Sequence, residues 1–136
     1  MEELSAAIEK AEKIVVYAEG EARAYLPQDA AFAALMQAWE ETVSAAVRMP
    51  AFGVSIDALT RKGLESGLWM EFCFGEEHLC GGMPFESLLL EVKSDWHGFN
   101  IVRGQGGRYE GRCFYVDLRQ ATMQPLYDAL QKIARG

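Results

Sequence analysis

From Leu68 the chain changes period. Leu68, Met70, Phe72 and Phe74 alternate with Trp69, Glu71 and Cys73, and a period of two is what a strand needs to bury one face. Upstream the spacing is helical: Phe32, Leu35, Met36, Trp39 and Val43 recur so as to form one apolar stripe. A chain that carries the two patterns in separate blocks predicts an α+β fold, with helices grouped before and after a run of strands.

Shorter segments fit the same plan. Leu4, Ala7, Ile8 and Ala11 predict a first helix within Glu3 to Glu12, and residues 13–18 and 22–26 predict a hairpin about Glu19-Gly20, ended by Pro27. The striped helix covers about 28–46, with Asp29 placed to cap its first turn. The run Met49-Pro50-Ala51-Phe52-Gly53 breaks the pattern, and Ile56, Leu59 and Leu64 then predict a helix over about 55–66. Strand candidates follow at 78–82, 85–92, 99–103 and 108–118, separated by turn-like residues at 75–77, 94–98 and 104–107. A last helix, about 122–134, has Thr122 at its cap and Pro125 in its first turn. The expectation is a single domain over 1–136, a mainly antiparallel sheet of about five to six strands with helices on one face.

The 136 residues, half of them hydrophobic, suffice for a core without disulfides or a structural metal. Cys73, Cys80 and Cys113 are odd in number and lack CxxC spacing, which fits a reducing compartment. An acidic N-terminus and no long apolar run predict a cytoplasmic protein with no membrane partner. The net charge is -7, with -5 carried by residues 1–68 (six basic, eleven acidic) and -2 by residues 69–136 (seven basic, nine acidic). Such a chain lacks the positive field that supplies nucleic-acid affinity, so no nucleic-acid partner is expected.

Three groups of residues bear on chemistry. Gly104, Gly106 and Gly107 resemble part of a phosphate loop, but a strand rather than a helix follows, so they read as a hairpin turn. Arg103 and Arg108 flank that turn and Arg112 lies two strand steps beyond Arg108, which makes a small basic edge, a candidate binding surface. A second group falls at 68–82. With a two-residue turn at Gly75-Glu76 or at Glu76-Glu77, Glu71, Cys73, His78 and Cys80 share one face with Trp69. Two thiols, an imidazole and a carboxylate are the types a zinc site or an activated thiolate uses, although the spacing along a flat hairpin does not surround a metal. The alternative use of the cysteines is as small apolar filler. Third, Trp96 and His97 sit on a loop, where Trp96 is either a binding anchor or a lid over the core.

No serine, histidine or paired-carboxylate pattern specifies a catalytic centre, no motif implies a cofactor, and no motif names a family. The residues therefore predict a non-catalytic binding domain that meets another protein or its own copy through a sheet face or edge, with Trp69, Trp96, His97, Arg103, Arg108 and Arg112 as binding candidates. Two alternatives differ in class: a metal- or thiol-dependent protein using Glu71, Cys73, His78 and Cys80, and a small-ligand domain with its pocket between sheet and helices.

Overall fold

A computed structural model describes residues 1–51 and 53–136. Phe52, in the break before the second predicted helix, lies outside the described residues. The elements run α1 (Glu2–Ile8), β1 (Lys13–Ala18), β2 (Glu21–Tyr25), α2 (Ala30–Thr42), β3 (Val47–Met49), β4 (Val54–Ser55), α3 (Asp57–Gly63), β5 (Leu68–Cys80), β6 (Met83–Glu91), β7 (Gly98–Gln105), β8 (Arg108–Tyr109), β9 (Gly111–Arg112), β10 (Phe114–Asp117) and α4 (Gln124–Arg135). The fold is α+β, as the two periods predict.

The main sheet has eight strands in the order β2-β1-β5-β6-β7-β10-β3, with β8 paired to β7, and a two-stranded β4-β9 sheet stands apart. Every pairing is antiparallel. On one face Ile14, Val16, Met70, Phe72, Leu88, Leu90, Ile101 and Phe114 meet Leu4 and Ile8 of α1, Leu35 and Trp39 of α2, and Leu126 and Leu130 of α4. The Trp39 ring packs edge-on against Phe72 and Phe99, with centroids 5.3 and 6.0 Å away. The tryptophan stripe is core, and burying rings of this size contributes a few kcal/mol each, on the order of 25 cal/mol per Å².

Helix α3 is the exception to the one-sided helix layer. It buries no residue, and it lies over the other sheet face, where a Cβ at Gly63 would stand 3.1 Å from the Trp69 ring. Its reach is also shorter than the expected 55–66. Helix α2 likewise ends at Thr42 rather than near 46, because the chain leaves helical geometry at Val43 (φ -99°, ψ 11°), and Val47–Met49 then pairs with β10 as an edge strand. The expected strand 108–118 is three pieces. Gly111, at φ +101°, breaks it in a conformation L side chains rarely adopt.

The largest correction concerns the hairpin at 68–82. The chain does not turn at Gly75-Glu76 or Glu76-Glu77; β5 continues to Cys80, and the turn is Gly81-Gly82, closed by Cys80 opposite Met83. Both glycines have positive φ, +55° and +76°, which is the requirement of a tight two-residue hairpin turn. What the sequence presents as a turn is a bulge. Cys73 pairs with Ser87 and the next pair is His78 with Phe85, so residues 74–77 stand opposite Glu86 alone. Gly75, at φ +72°, supplies the bend.

Candidate functional site

Between the edge strand β2 and helix α4 lies a cleft of about 740 Å³. Its formation follows from register. Glu21, Arg23 and Tyr25 are opposite Ala18, Val16 and Ile14, so they share the helix-side face with Val16 and Ile14 of the core. Helix α4 packs on α2 and β1, and β2 projects beyond it. The floor is Val16, Ala18 and Leu68; Tyr25 and Arg23 make one wall; Tyr127, Gln131, Ala134 and Arg135 make the other; Glu91 to Asp95 close one end. Gln131 Nε2 donates to the Tyr127 hydroxyl at 3.0 Å and steadies that wall.

The charges around this cleft are distinctive. Glu19, Glu21, Glu91, Asp95, Arg23 and Arg135 all line it, and none of them belongs to a salt bridge among the described residues. Lys93 is also there, with its ammonium 5.4 Å above the Trp96 ring. An apolar floor bordered by convergent polar groups is the usual anatomy of a binding site, and the volume lies inside the ordinary range for one. The lining contains neither histidine nor cysteine.

On the opposite face, Glu71 is 5% exposed and carries the main buried charge of the sheet. Tyr17 Oη donates to its Oε1 at 2.7 Å, and Tyr109 Oη lies 3.0 and 2.9 Å from its two oxygens. Burial, followed by the neighbouring Glu71 charge, raises both phenol pKa values well above the ordinary value. Helix α3 fastens the strand that brings Tyr109 in. Asp57 Oδ1 accepts the Tyr109 backbone N–H at 2.7 Å, Arg61 bonds Asp57 at 2.9 Å, and the Arg61 guanidinium sits 5.1 Å over the Tyr109 ring. These bonds hold the Asp57 pKa below the ordinary carboxylate value, the backbone bond most of all.

The bulge separates the four residues that two-residue turns at 75–77 would place on one face. Glu71 and Cys73 stay on the α3 side with Trp69, whereas Cys80 is fully buried in the core cluster and the His78 ring packs against Phe74 and Phe85, 5.2 and 6.2 Å away. Among the described residues no group of three or more His, Cys, Asp or Glu side chains is placed to hold a metal ion. Burial pushes the Cys73 thiol up to about 11, with Glu71 adding to it, and burial with a hydrogen bond to Glu3 does the same for Cys80. Burial also raises Cys113. All three are poor thiolates near neutral pH.

The arginines of the basic edge bond to their own chain. Arg103 donates through Nε to the Arg112 carbonyl and through Nη1 to the Pro84 carbonyl, both at 2.7 Å; Arg108 pairs with Glu110; Arg112 donates to the Ala51 carbonyl at 3.3 Å. Trp69 is half-buried and donates its indole N–H to the Ser66 carbonyl at 3.0 Å. Trp96 is half-buried and packs against the core. With His97 it also borders an open groove of about 780 Å³ that includes Met49, Asn100 and Tyr115. His97 Nδ1 lies 2.8 Å from the Ala121 carbonyl; a carbonyl only accepts, so Nδ1 carries a proton and the neutral ring presents Nε2 as acceptor.

The cleft residues escape a reading along the chain because they come from four separate stretches, 16–25, 66–68, 91–95 and 127–135. One signal was present: Glu21-Ala22-Arg23-Ala24-Tyr25 alternates charged or aromatic residues with alanine, which marks a strand with a polar working face. No helix among the described residues is long and apolar enough to cross a membrane. Compared with known proteins, the chain matches no family model, no curated protein and no solved structure.

Proposed function

We propose that this is a binding domain whose working site is the cleft between β2 and α4, and that the cleft takes a short segment of a partner protein. The observation that carries the reading is the combination of an apolar floor with seven charged side chains that make no salt bridge among the described residues. A partner segment with alternating apolar and charged side chains satisfies both. The apolar side chains displace water from Val16, Ala18 and Leu68, while the charged ones meet the rim.

The test is a spectrum of the isotope-labelled protein titrated with capped tripeptides that combine one apolar residue with charged neighbours. The expected result is saturable shifts confined to Val16, Tyr25, Leu68 and Ala134, and their loss in Ala134→Trp, which fills the cleft. Shifts centred elsewhere, or none at millimolar peptide, would sink the proposal.

A further inference from the structure

Strand β2 ends the main sheet, so one of its edges has no neighbour among the described residues. Glu19 and Gly20, at φ 50° and 86°, form a two-residue turn flanked by the pair Ala18 and Glu21. In such a hairpin the flanking pair exchanges hydrogen bonds, so Glu21, Arg23 and Tyr25 point their backbone groups at β1, while Ala22 and Ala24 point theirs outward. The free edge stops there: the Leu26 N–H donates to Asp29 Oδ2 at 2.7 Å, and Pro27 has no donor to offer.

Proteins discourage edge pairing with short strands, charged side chains, Pro, bulges or coverage. The β2 edge is short and charged, but its charges are of both signs and can complement those of a second copy. Glu21 and Arg23 are opposite in sign, two residues apart on the same side of the strand, exposed, and outside every salt bridge of the described residues. Two-fold antiparallel pairing of this edge with a second copy can use the outward groups in three registers. Centring on Arg23 sets the two arginines against each other. Centring on Ala24 requires the Leu26 N–H, which Asp29 already holds. Centring on Ala22 lets the two Ala22 residues exchange N–H and C=O bonds and puts Glu21 of each chain directly opposite Arg23 of the other, two complementary pairs from one strand.

We infer that two copies of this chain associate through their β2 edges in the register centred on Ala22, making one continuous antiparallel sheet. The occupant is fixed by charge complementarity, because the same five residues supply both members of each pair. The two-fold axis runs perpendicular to the sheet, so both helix layers lie on one side, and the two clefts face each other across the β2 pair as one groove. The contact is short, and association is therefore weak and concentration-dependent. The inference rests on the edge of β2; Glu21 and Arg23 also line the cleft, so in the dimer they pair across the two copies and Glu19, Glu91, Lys93, Asp95 and Arg135 are the charges left for what the cleft holds.

Sedimentation equilibrium from micromolar to millimolar protein tests it, with circular dichroism confirming that each variant is folded. The wild type is expected to dimerise, Glu21→Arg and Arg23→Glu each to weaken the dimer by about tenfold or more, and the double variant Glu21→Arg/Arg23→Glu to restore it. A wild type that stays monomeric throughout overturns the inference. So does a single variant that dimerises like the wild type, or a double variant that fails to recover.

Discussion

The Tyr109 hydroxyl sits 3.0 and 2.9 Å from the two oxygens of Glu71, so a residue on a two-residue strand caps a carboxylate buried in the middle of the sheet. Tyr17 adds a third contact at 2.7 Å, and among the described residues no cation lies within salt-bridge distance of Glu71. The charge is held by phenols alone. Removing a donor therefore leaves a buried acceptor short of a partner. Tyr109→Phe is expected to cost about 1–3 kcal/mol in urea unfolding, and Tyr17→Phe less, since one of its acceptor's bonds remains. Equal stability of Tyr109→Phe and wild type would show that the bonds contribute nothing net.

Asp57 gives a pH dependence whose sign can be worked out. Its folded pKa lies below the ordinary 3.8. The stability it contributes is present above that value and is lost as pH falls through the lower, folded one. Glu3 and Glu110, depressed from 4.5 by bonds to Gly81 and Arg108 respectively, act in the same direction. Thermal melts taken from pH 6 down to about pH 2 should show a steeper acid loss for wild type than for Asp57→Asn, which begins less stable at pH 6. Parallel curves would contradict this.

The thiols report the opposite direction. Cys73 is raised from 9.0 to about 11 by burial, so its contribution is intact below 9 and declines as pH rises through 11. Native protein at pH 7.5 should react slowly with iodoacetamide, and urea should release all three cysteines to ordinary rates. Rapid native labelling of Cys73 or Cys80 would revive an activated thiolate.

Thr42 is 2% exposed and its hydroxyl has no hydrogen-bond partner among the described residues. Thr42→Val keeps the shape and removes the unsatisfied group, so it should stabilise the protein by about 1 kcal/mol. A loss of stability in denaturant titration would mean that the hydroxyl is satisfied in solution.

Gly75 and Gly82 both test backbone strain. Both have positive φ, but a Cβ at Gly82 meets nothing within 4 Å among the described residues, whereas one at Gly75 approaches the Glu12 carboxylate. Gly82→Ala should cost about 1 kcal/mol from backbone strain alone. Gly75→Ala should cost about the same, because the atom it meets is the far end of the exposed, flexible Glu12 side chain, which swings aside; urea midpoints for the two variants would then fall together.

The fold was legible where one pattern ran long enough to dominate. The stripe from Phe32 to Val43 gave a core helix, and the alternation from Leu68 to Phe74 gave the central strand. The bulge was not legible, because Gly75-Glu76-Glu77 has turn composition, and only the pairing of Cys73 with Ser87 and His78 with Phe85 distinguishes a bulge from a turn. Tyr109 could not be matched to Glu71 for a similar reason: the two are 38 residues apart, and α3, which sets the approach, was expected in the core layer. The cleft depended on knowing that β2 lies at the edge, a fact of strand order that no local pattern contains.

That strand order also divides the chain by how far it must travel to fold. Neighbours β5, β6 and β7 follow one another in sequence, but Lys13 must find Cys73, and Met49 must find Tyr115. Closing such distant pairs costs entropy before contacts repay it. The β5–β7 meander is thus expected to form early, and the β1–β2 hairpin to dock late and open first. Amide exchange should be slowest in β5 and β6 and fastest in β2, the strand whose capture by a ligand or a second copy would do most to hold the N-terminal part in place.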